Sequence, residues 1–183
     1  MEERFEQPKR FIIEKAALED VDPIGEAQLQ SWRETYPNEE LGITKEWIEE
    51  QVGFLTEKAG NDFRRKTIVE AMQPTSPTLY LVVKDKNGSV YGFLHVTRKE
   101  VDACFDAIYL TKDVQGTGIA QELMQKALDF IGDLPIELEV ASYNKRAIAF
   151  YESYDFKIIE RKKEFHKGKI PLVAMMRELK NEI

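Results

Sequence analysis

Cysteine is nearly absent from this sequence: Cys104 is the only one in 183 residues, so no disulfide framework can form within the chain. Long hydrophobic runs are missing too. No apolar stretch approaches the ~20 residues needed to cross a bilayer, and the opening decapeptide MEERFEQPKR lacks the apolar segment of a secretory signal. These absences lead us to expect a cytoplasmic protein with no membrane partner. Positive charge is in deficit, with 26 Lys and Arg against 33 Asp and Glu and a net charge of −7. A phosphate backbone is engaged by a basic surface, so no nucleic-acid partner is expected. Histidine is scarce as well: His95 lies in an apolar run and His166 in a basic turn, and no metal-ligand spacing joins them. No metal is expected.

What the chain does have is enough apolar content, 43%, to build one substantial core, and we expect a single domain over residues 1–183. The acidic balance raises the local concentration of cationic ligands and is equally an ordinary solubility device. No internal repeat or low-complexity tract is present.

Local patterns divide the chain into a helical first part and a strand-rich remainder. Residues Phe11 to Ala16 read as a short strand. Asp20 and Asp22 are candidate caps for a helix with Pro23 in its first turn and Pro37-Asn38 beyond its end. Thr44 caps a second helical region that continues, with breaks, toward Met72. The segment QPTSPT at Gln73 to Thr78 is a loop, after which the periodicity becomes extended. Strands are expected at Leu79 to Val83 and Val90 to Thr97, joined through Lys86-Asn87-Gly88-Ser89, and at Ala103 to Leu110. A helix follows at Gln121 to Ile131, stopped by Gly132-Asp133. Next come a strand at Ile136 to Ala141, a helix at Lys145 to Ser153, and a last strand pair at Phe156 to Lys163 and Leu172 to Leu179. The class is mixed α/β or α+β.

The most informative segment runs from Ile108 through Tyr109, Leu110 and Thr111 to Gln115-Gly116-Thr117-Gly118-Ile119-Ala120, and it reads strand, connection, glycine-rich turn, helix. A helix N-terminus presents unpaired N–H groups and a partial positive charge, which together bind phosphate oxygens. Gly116, Gly118 and the small Ala120 let the backbone approach a pyrophosphate without a Cβ in the way. Glycines needed only for the turn would look the same. The other phosphate loops fit worse, since G-x-x-x-x-G-K-[ST] is absent and Gly116-x-Gly118 lacks the third glycine of a dinucleotide fold.

With Gln115-x-x-Gly118-x-Ala120 in place, the chain resembles the GNAT superfamily of N-acetyltransferases, whose cofactor loop reads Gln/Arg-x-x-Gly-x-Gly/Ala. The segment from Asn144 through Ala147, Phe150, Tyr151 and Glu152 to Phe156 is similar to that family's N-x-x-A-x-x-F-Y-E-x-x-G-F stretch. A weaker likeness ties Ser31-Trp32-Arg33-Glu34-Thr35-Tyr36 to the S-W-x-x-T-Y stretch of polyamine-acetylating members. The resemblance implies a central, mostly antiparallel sheet splayed into a V that admits acetyl-CoA. It implies that Ile108, Tyr109 and Leu110 offer backbone groups to the pantetheine, that an N–H of Tyr109 or Leu110 stabilises the oxyanion, and that residues Gln115, Gly116, Thr117, Gly118, Ile119 and Ala120 hold the pyrophosphate. Asn144 would bond near the pantetheine, and Tyr151 would be the general acid for the leaving thiolate. The implied reaction is acetyl transfer to a primary amine by direct attack in a ternary complex, in a monomer or homodimer. The acceptor is a small amine such as a polyamine, or else a peptide N-terminus or lysine.

Two departures stand out. Asp155 occupies the usual glycine position before Phe156, and aspartate tolerates a left-handed backbone better than most residues. Cys104 stands where many relatives carry a strand glutamate as general base. The base is therefore open between Asp106, Glu139 and a water chain. Cys104 as nucleophile competes with Cys104 as a small buried hydrophobe. Trp32 and Tyr36 either line the acceptor site or pack on the sheet. The basic turn Lys162 to Lys169 is either a solvated hairpin or a contact for the adenosine phosphate. Outside catalysis, the chain could be a CoA-binding regulatory module that lost its base, or a structural protein with a chance glycine turn.

Overall fold

The computed structural model describes residues 11–178. Among the described residues, seven strands form one sheet in the order β1-β2-β3-β4-β5-β7-β6. They are β1 (Phe11–Lys15), β2 (Thr78–Asp85), β3 (Val90–Arg98), β4 (Ala103–Leu110), β5 (Ile136–Ala141), β6 (Lys157–His166) and β7 (Ile170–Arg177). All neighbouring pairs are antiparallel except β4 and β5. The α+β architecture with a mostly antiparallel sheet is thus as expected. Leu179, the end of the expected last strand, lies outside the described residues.

Helices cover both faces, which explains why β2 is apolar at successive positions rather than at alternate ones. Leu81 and Val83 point to one face, where α4 (Ile119–Ile131) buries Leu123, Met124, Ala127 and Ile131 beside Ile148 and Tyr151 of α5 (Lys145–Glu152). Tyr80 and Val82 point to the other. There Val21 and Ile24 of α1 (Val21–Thr35) meet Ile68 of α3 (Lys58–Ala71). The second half of α1 runs on to a separate cluster in which Leu29 and Trp32 pack with Ile48 and Val52 of α2 (Lys45–Val52), and with Ala141 and Ile170. Serving two clusters in turn is the reason its apolar residues fit a single face only loosely. No described helix is long and apolar enough to cross a membrane.

Several local expectations are met with altered chemistry. α1 begins after Asp20, but this side chain caps nothing in α1. Its Oδ2 accepts from the Ala17 N–H and its Oδ1 lies 2.7 Å from Lys84 Nζ, so the buried carboxylate joins the preceding turn to β2. Thr44 caps α2 as expected, accepting from Trp47 N. α4 starts two residues earlier than its apolar pattern suggested, directly after Gly118. In the β2–β3 connection Gly88 alone takes a left-handed φ, +85°. Asp85 Oδ1 accepts from both Asn87 N and Ser89 N, so the turn is organised by aspartate rather than by a paired left-handed Asn-Gly step. Asp155 takes φ +68°, filling the glycine position in the turn before β6.

Arg64 ties the helical layer together. Its guanidinium is buried and donates to Val21 O at 2.9 Å, Asn61 Oδ1 at 2.8 Å and Leu55 O at 3.0 Å, joining α1, α3 and the 3-10 turn between α2 and α3. Arg64→Leu strands two main-chain acceptors in the interior. Chemical denaturation should show a loss of about 3 kcal/mol.

Candidate functional site

β4 and β5 pair only through Ala103↔Ile136 and Cys104↔Glu137. Beyond Cys104 the strands part, and β4 keeps β3 on one side alone. An irregularity helps to turn them apart: Val96 faces Phe105 while His95 faces Ala107, so Asp106 is an extra residue in β4. Such a bulge bends its strand and re-aims the side chains that follow. Ile108 and Leu110 consequently join Phe105 on the α4 face, and Ala107 and Tyr109 point to the α1 face.

The opening is a cavity of about 570 Å³ lined by Phe105 through Leu110 of β4, by Leu138, Glu139 and Val140 of β5, and by Gln115, Gly116, Gly118 and Ala120 of the following turn. Asn144, Arg146 and Tyr151 close it from α5, and Ser31, Glu34 and Tyr36 from α1. Ile108, Tyr109, Leu110, Gln115, Gly116, Gly118, Ala120, Asn144 and Tyr151 are thereby brought together around one cavity. Thr117 and Ile119 are not in the lining; the Thr117 hydroxyl donates to Val114 O at 2.6 Å and Ile119 is buried.

At the turn, Gly116 and Gly118 have φ of +78° and +86°, and a Cβ built on either would meet nothing within 4 Å. Their role is therefore conformational, and the surrounding space is open to a ligand. Glu122 N donates to Gly118 O as the first bond of α4, which leaves the N–H groups of Ile119, Ala120 and Gln121 without intrahelical partners. Gly118 offers no side chain to cap them. Unpaired N–H groups at a helix N-terminus favour an anion beside them. Arg146 reaches across from α5 and donates to Gln115 Oε1, bringing a guanidinium to the same edge.

The two faces of the cavity differ. Asn144 caps α5, its Oδ1 accepting from Ala147 N at 3.1 Å, and its amide NH₂ remains as a donor. Tyr151 is buried, and its phenol is pushed well above its usual pKa, first by burial and then by Tyr109. Tyr36 and Tyr109 are raised chiefly by burial as well. All three phenols keep their protons at neutral pH. Trp32 is buried with its ring centroid 4.4 Å from that of Tyr36 and 6.3 Å from that of Tyr109, so Trp32 packs behind the wall that Tyr36 lines.

Both open carboxylate candidates are lining residues of the cleft. Asp106 Oδ2 accepts from Thr97 Oγ1 at 2.7 Å and lies 3.7 Å from His95 Nε2. Glu139 also borders a second cavity of about 480 Å³ that contains Glu160 and Glu164. Its carboxyl is raised by burial, and further by Glu164 and Glu137. Cys104 sits at the apex of the V, outside the lining, with its thiol pushed up to about 11 by burial and by Asp106. At neutral pH it is a protonated thiol, not a thiolate nucleophile. The basic hairpin is elsewhere: Lys169 Nζ donates to Gly42 O and lies 5.4 Å from the Trp47 ring centroid, beside α2.

The family model for the acetyltransferase (GNAT) domain matches residues 35–179. This chain belongs to the GNAT family. A curated relative, the peptidyl-lysine N-acetyltransferase YjaB of Escherichia coli, is 28% identical over 102 residues, covering 56% of this chain and 64% of YjaB. The match thus spans somewhat less than two thirds of that relative's length. Among solved structures, the PaiA N-acetyltransferase of Thermoplasma acidophilum in complex with coenzyme A superposes with a TM-score of 0.75 at 22% identity, over 92% of this chain and 99% of that one. The solution structure of apo YjaB gives 0.60 at 21% identity, over 91% and 97%. A chimeric spermidine N-acetyltransferase from Vibrio cholerae gives 0.59 at 18%, over 92% and 95%. At these identities the structural likeness establishes the fold.

Sequence reasoning missed several polar residues that shape this GNAT cleft. Ser31 Oγ donates to Leu110 O at 3.2 Å, and Glu34 Oε2 accepts from Lys112 N at 2.7 Å, so α1 fastens the start of the connection leaving β4. Ser31 and Glu34 lie in the S-W-x-x-T-Y stretch, whose most distinctive residues are its aromatics. Arg146 lies at a position that the N-x-x-A motif does not specify.

Two outcomes follow for the cleft. Gly118→Ala forces a Cβ into a left-handed conformation at the head of α4, and calorimetry should show CoA affinity about tenfold lower. Cys104→Ala should leave any acyl-transfer rate within about twofold of wild type, because no thiolate is available to lose.

Proposed function

We propose that this protein is an acetyl-CoA-dependent N-acetyltransferase that acetylates a primary amine by direct attack in a ternary complex. The observation that carries the reading is the parting of β4 from β5 beside a glycine turn whose helix N-terminus is uncapped: one cleft offers an extended backbone edge and an anion cradle together. Acetyl-CoA supplies the thioester. The turn from Gln115 to Ala120, with Arg146 at its edge, holds the pyrophosphate. Backbone groups of Ile108, Tyr109 and Leu110 align the pantetheine like an added strand, and the N–H of Tyr109 or Leu110 donates to the oxyanion. Asn144 donates its amide NH₂ beside the pantetheine. Tyr151 gives its proton to the departing sulfur. Burial that raises the phenol also raises a thiolate leaving within the same cleft, so the transfer is better matched than solution values of about 10 and 8.5 imply.

The acceptor we favour is a small cationic amine such as a polyamine. Supporting this are the net charge of −7 and the second cavity, where Glu139 borders the cleft and Glu160 and Glu164 stand close by. Arg161, which is ion-paired with Glu137, lines the same cavity and pulls against the rise in the Glu139 pKa, so it offsets part of that negative charge. A peptidyl-lysine acceptor is the second reading. It draws on the relation to YjaB, and a lysine side chain presents the same primary alkylamine.

The test is CoA thiol release from acetyl-CoA across spermidine, other small amines and lysine-containing or N-terminal peptides, beside calorimetry with CoA. Acceptor-dependent release with a small amine is expected. Binding without release on any acceptor would make the chain a regulatory module. Within the active protein, Tyr151→Phe should lower turnover by about 100-fold or more with CoA affinity unchanged; wild-type turnover in that variant would remove Tyr151 from the chemistry.

A further inference from the structure

His95 and Asp106 form a contact that the transfer scheme above does not use. The β4 bulge places Asp106 on the cavity wall. Its Oδ2 is held by the Thr97 hydroxyl at 2.7 Å and lies 3.7 Å from His95 Nε2. His95 is set behind it on β3, with its ring stacked on Tyr80 of β2 at 5.2 Å between centroids. The groups that face His95 are few: Tyr80 from β2, Asp106 from β4 with Cys104 beside that carboxylate, and the charge of Glu70 from α3. The buried Arg64 acts on Tyr80.

An acceptor alkylammonium has a solution pKa of about 10.4 and must lose a proton before it can attack. An ordinary aspartate is a weak base for this task, whereas a neutral imidazole is much better matched to it near pH 7. We propose that His95 is the proton-relay residue of the transfer site, receiving through Asp106 the proton released by the acceptor amine. The proposal rests on the acetyltransferase reading. Burial lowers the His95 pKa, which Asp106 and Glu70 partly restore, so the ring is neutral and able to accept at neutral pH.

The bookkeeping closes. The ammonium N–H bond breaks and its proton passes to Asp106, then by way of one bridging water, since the two groups lie 3.7 Å apart, to His95 Nε2. The freed nitrogen lone pair forms the bond to the acetyl carbon, and the C–S bond breaks. The second proton of the nitrogen ends on the sulfur by way of Tyr151. The imidazolium then returns its proton to solvent past Glu70, leaving amide, thiol and one released proton. His95 touches neither substrate, so it is a positioning residue acting through Asp106.

The experiment compares wild type with His95→Phe, which keeps the ring stacked on Tyr80 and removes the base. In wild type kcat should be level between about pH 7 and pH 9 and fall as pH drops through the His95 pKa, because a protonated ring cannot accept. In His95→Phe, kcat at about pH 7 should fall by about 30-fold and then rise by about tenfold per pH unit, following the free amine alone. KM for acetyl-CoA should not move. A His95→Phe profile that coincides with wild type would assign the residue to packing and overturn the proposal.

A second readout does not depend on turnover. With His166→Gln to leave a single imidazole, NMR titration of His95 should give a lower pKa in Asp106→Asn than with Asp106 present. An unchanged value would overturn the relay even if the enzyme is active, whereas absent thiol release with an intact coupling would count against the acetyltransferase reading instead.

Discussion

The parting of β4 and β5 after Cys104 is the constraint on which the rest of the molecule depends. A sheet that opens in its middle exposes two rows of main-chain donors and acceptors that would ordinarily pair. The opening is held by what lies on either side of it. β5 is paired along all six of its residues with β7, and β4 along its length with β3, so neither strand can swing back without breaking a full ladder. The extra residue at Asp106 bends β4 away at the point where pairing stops. What results is an open main-chain edge beside the cavity, free to pair with water or with a ligand that adds as a strand.

The two sheet faces are then given different tasks by the helices packed on them. α4 and α5 build the anion cradle and supply the phenol of Tyr151, and their buried residues form the largest core cluster. α1 and α2 cover the opposite face with aromatic rings, where Trp32, Tyr36 and Tyr109 form a wall between the sheet and the solvent. Asp106 and Glu139 line the cleft from β4 and β5 respectively. Burial raises the phenol of Tyr151 and, on β5, the carboxyl of Glu139 as well, so the same desolvated cleft acts on groups from separate elements.

Much of this was legible because its signals are local. Alternation, turn residues and the spacing of Gln115, Gly118, Asn144 and Tyr151 are all read within windows of about ten to fifteen residues. The tolerance of aspartate for a left-handed turn at Asp155 is likewise a property of one residue. The facing of Asp106 was not legible, since one inserted residue leaves the composition of β4 unchanged while reversing every side chain beyond it. Asp20 looked like a helix cap because caps are local, yet a lysine on β2 competes for the same oxygen atoms. Ser31 and Glu34 meet Leu110 and Lys112 across 79 and 78 residues, and no pattern within α1 records such distant partners.

Those last two bonds have a consequence for anyone who would redesign the protein. The C-terminal turns of α1 hold the main-chain groups on either side of Thr111, where the chain leaves β4 for the glycine turn, so the α1 wall of the cleft and the lead-in to that turn are one mechanical part. Libraries that vary α1 to reshape the cleft therefore also disturb the glycine turn, and selection on one property alone will drift in the other.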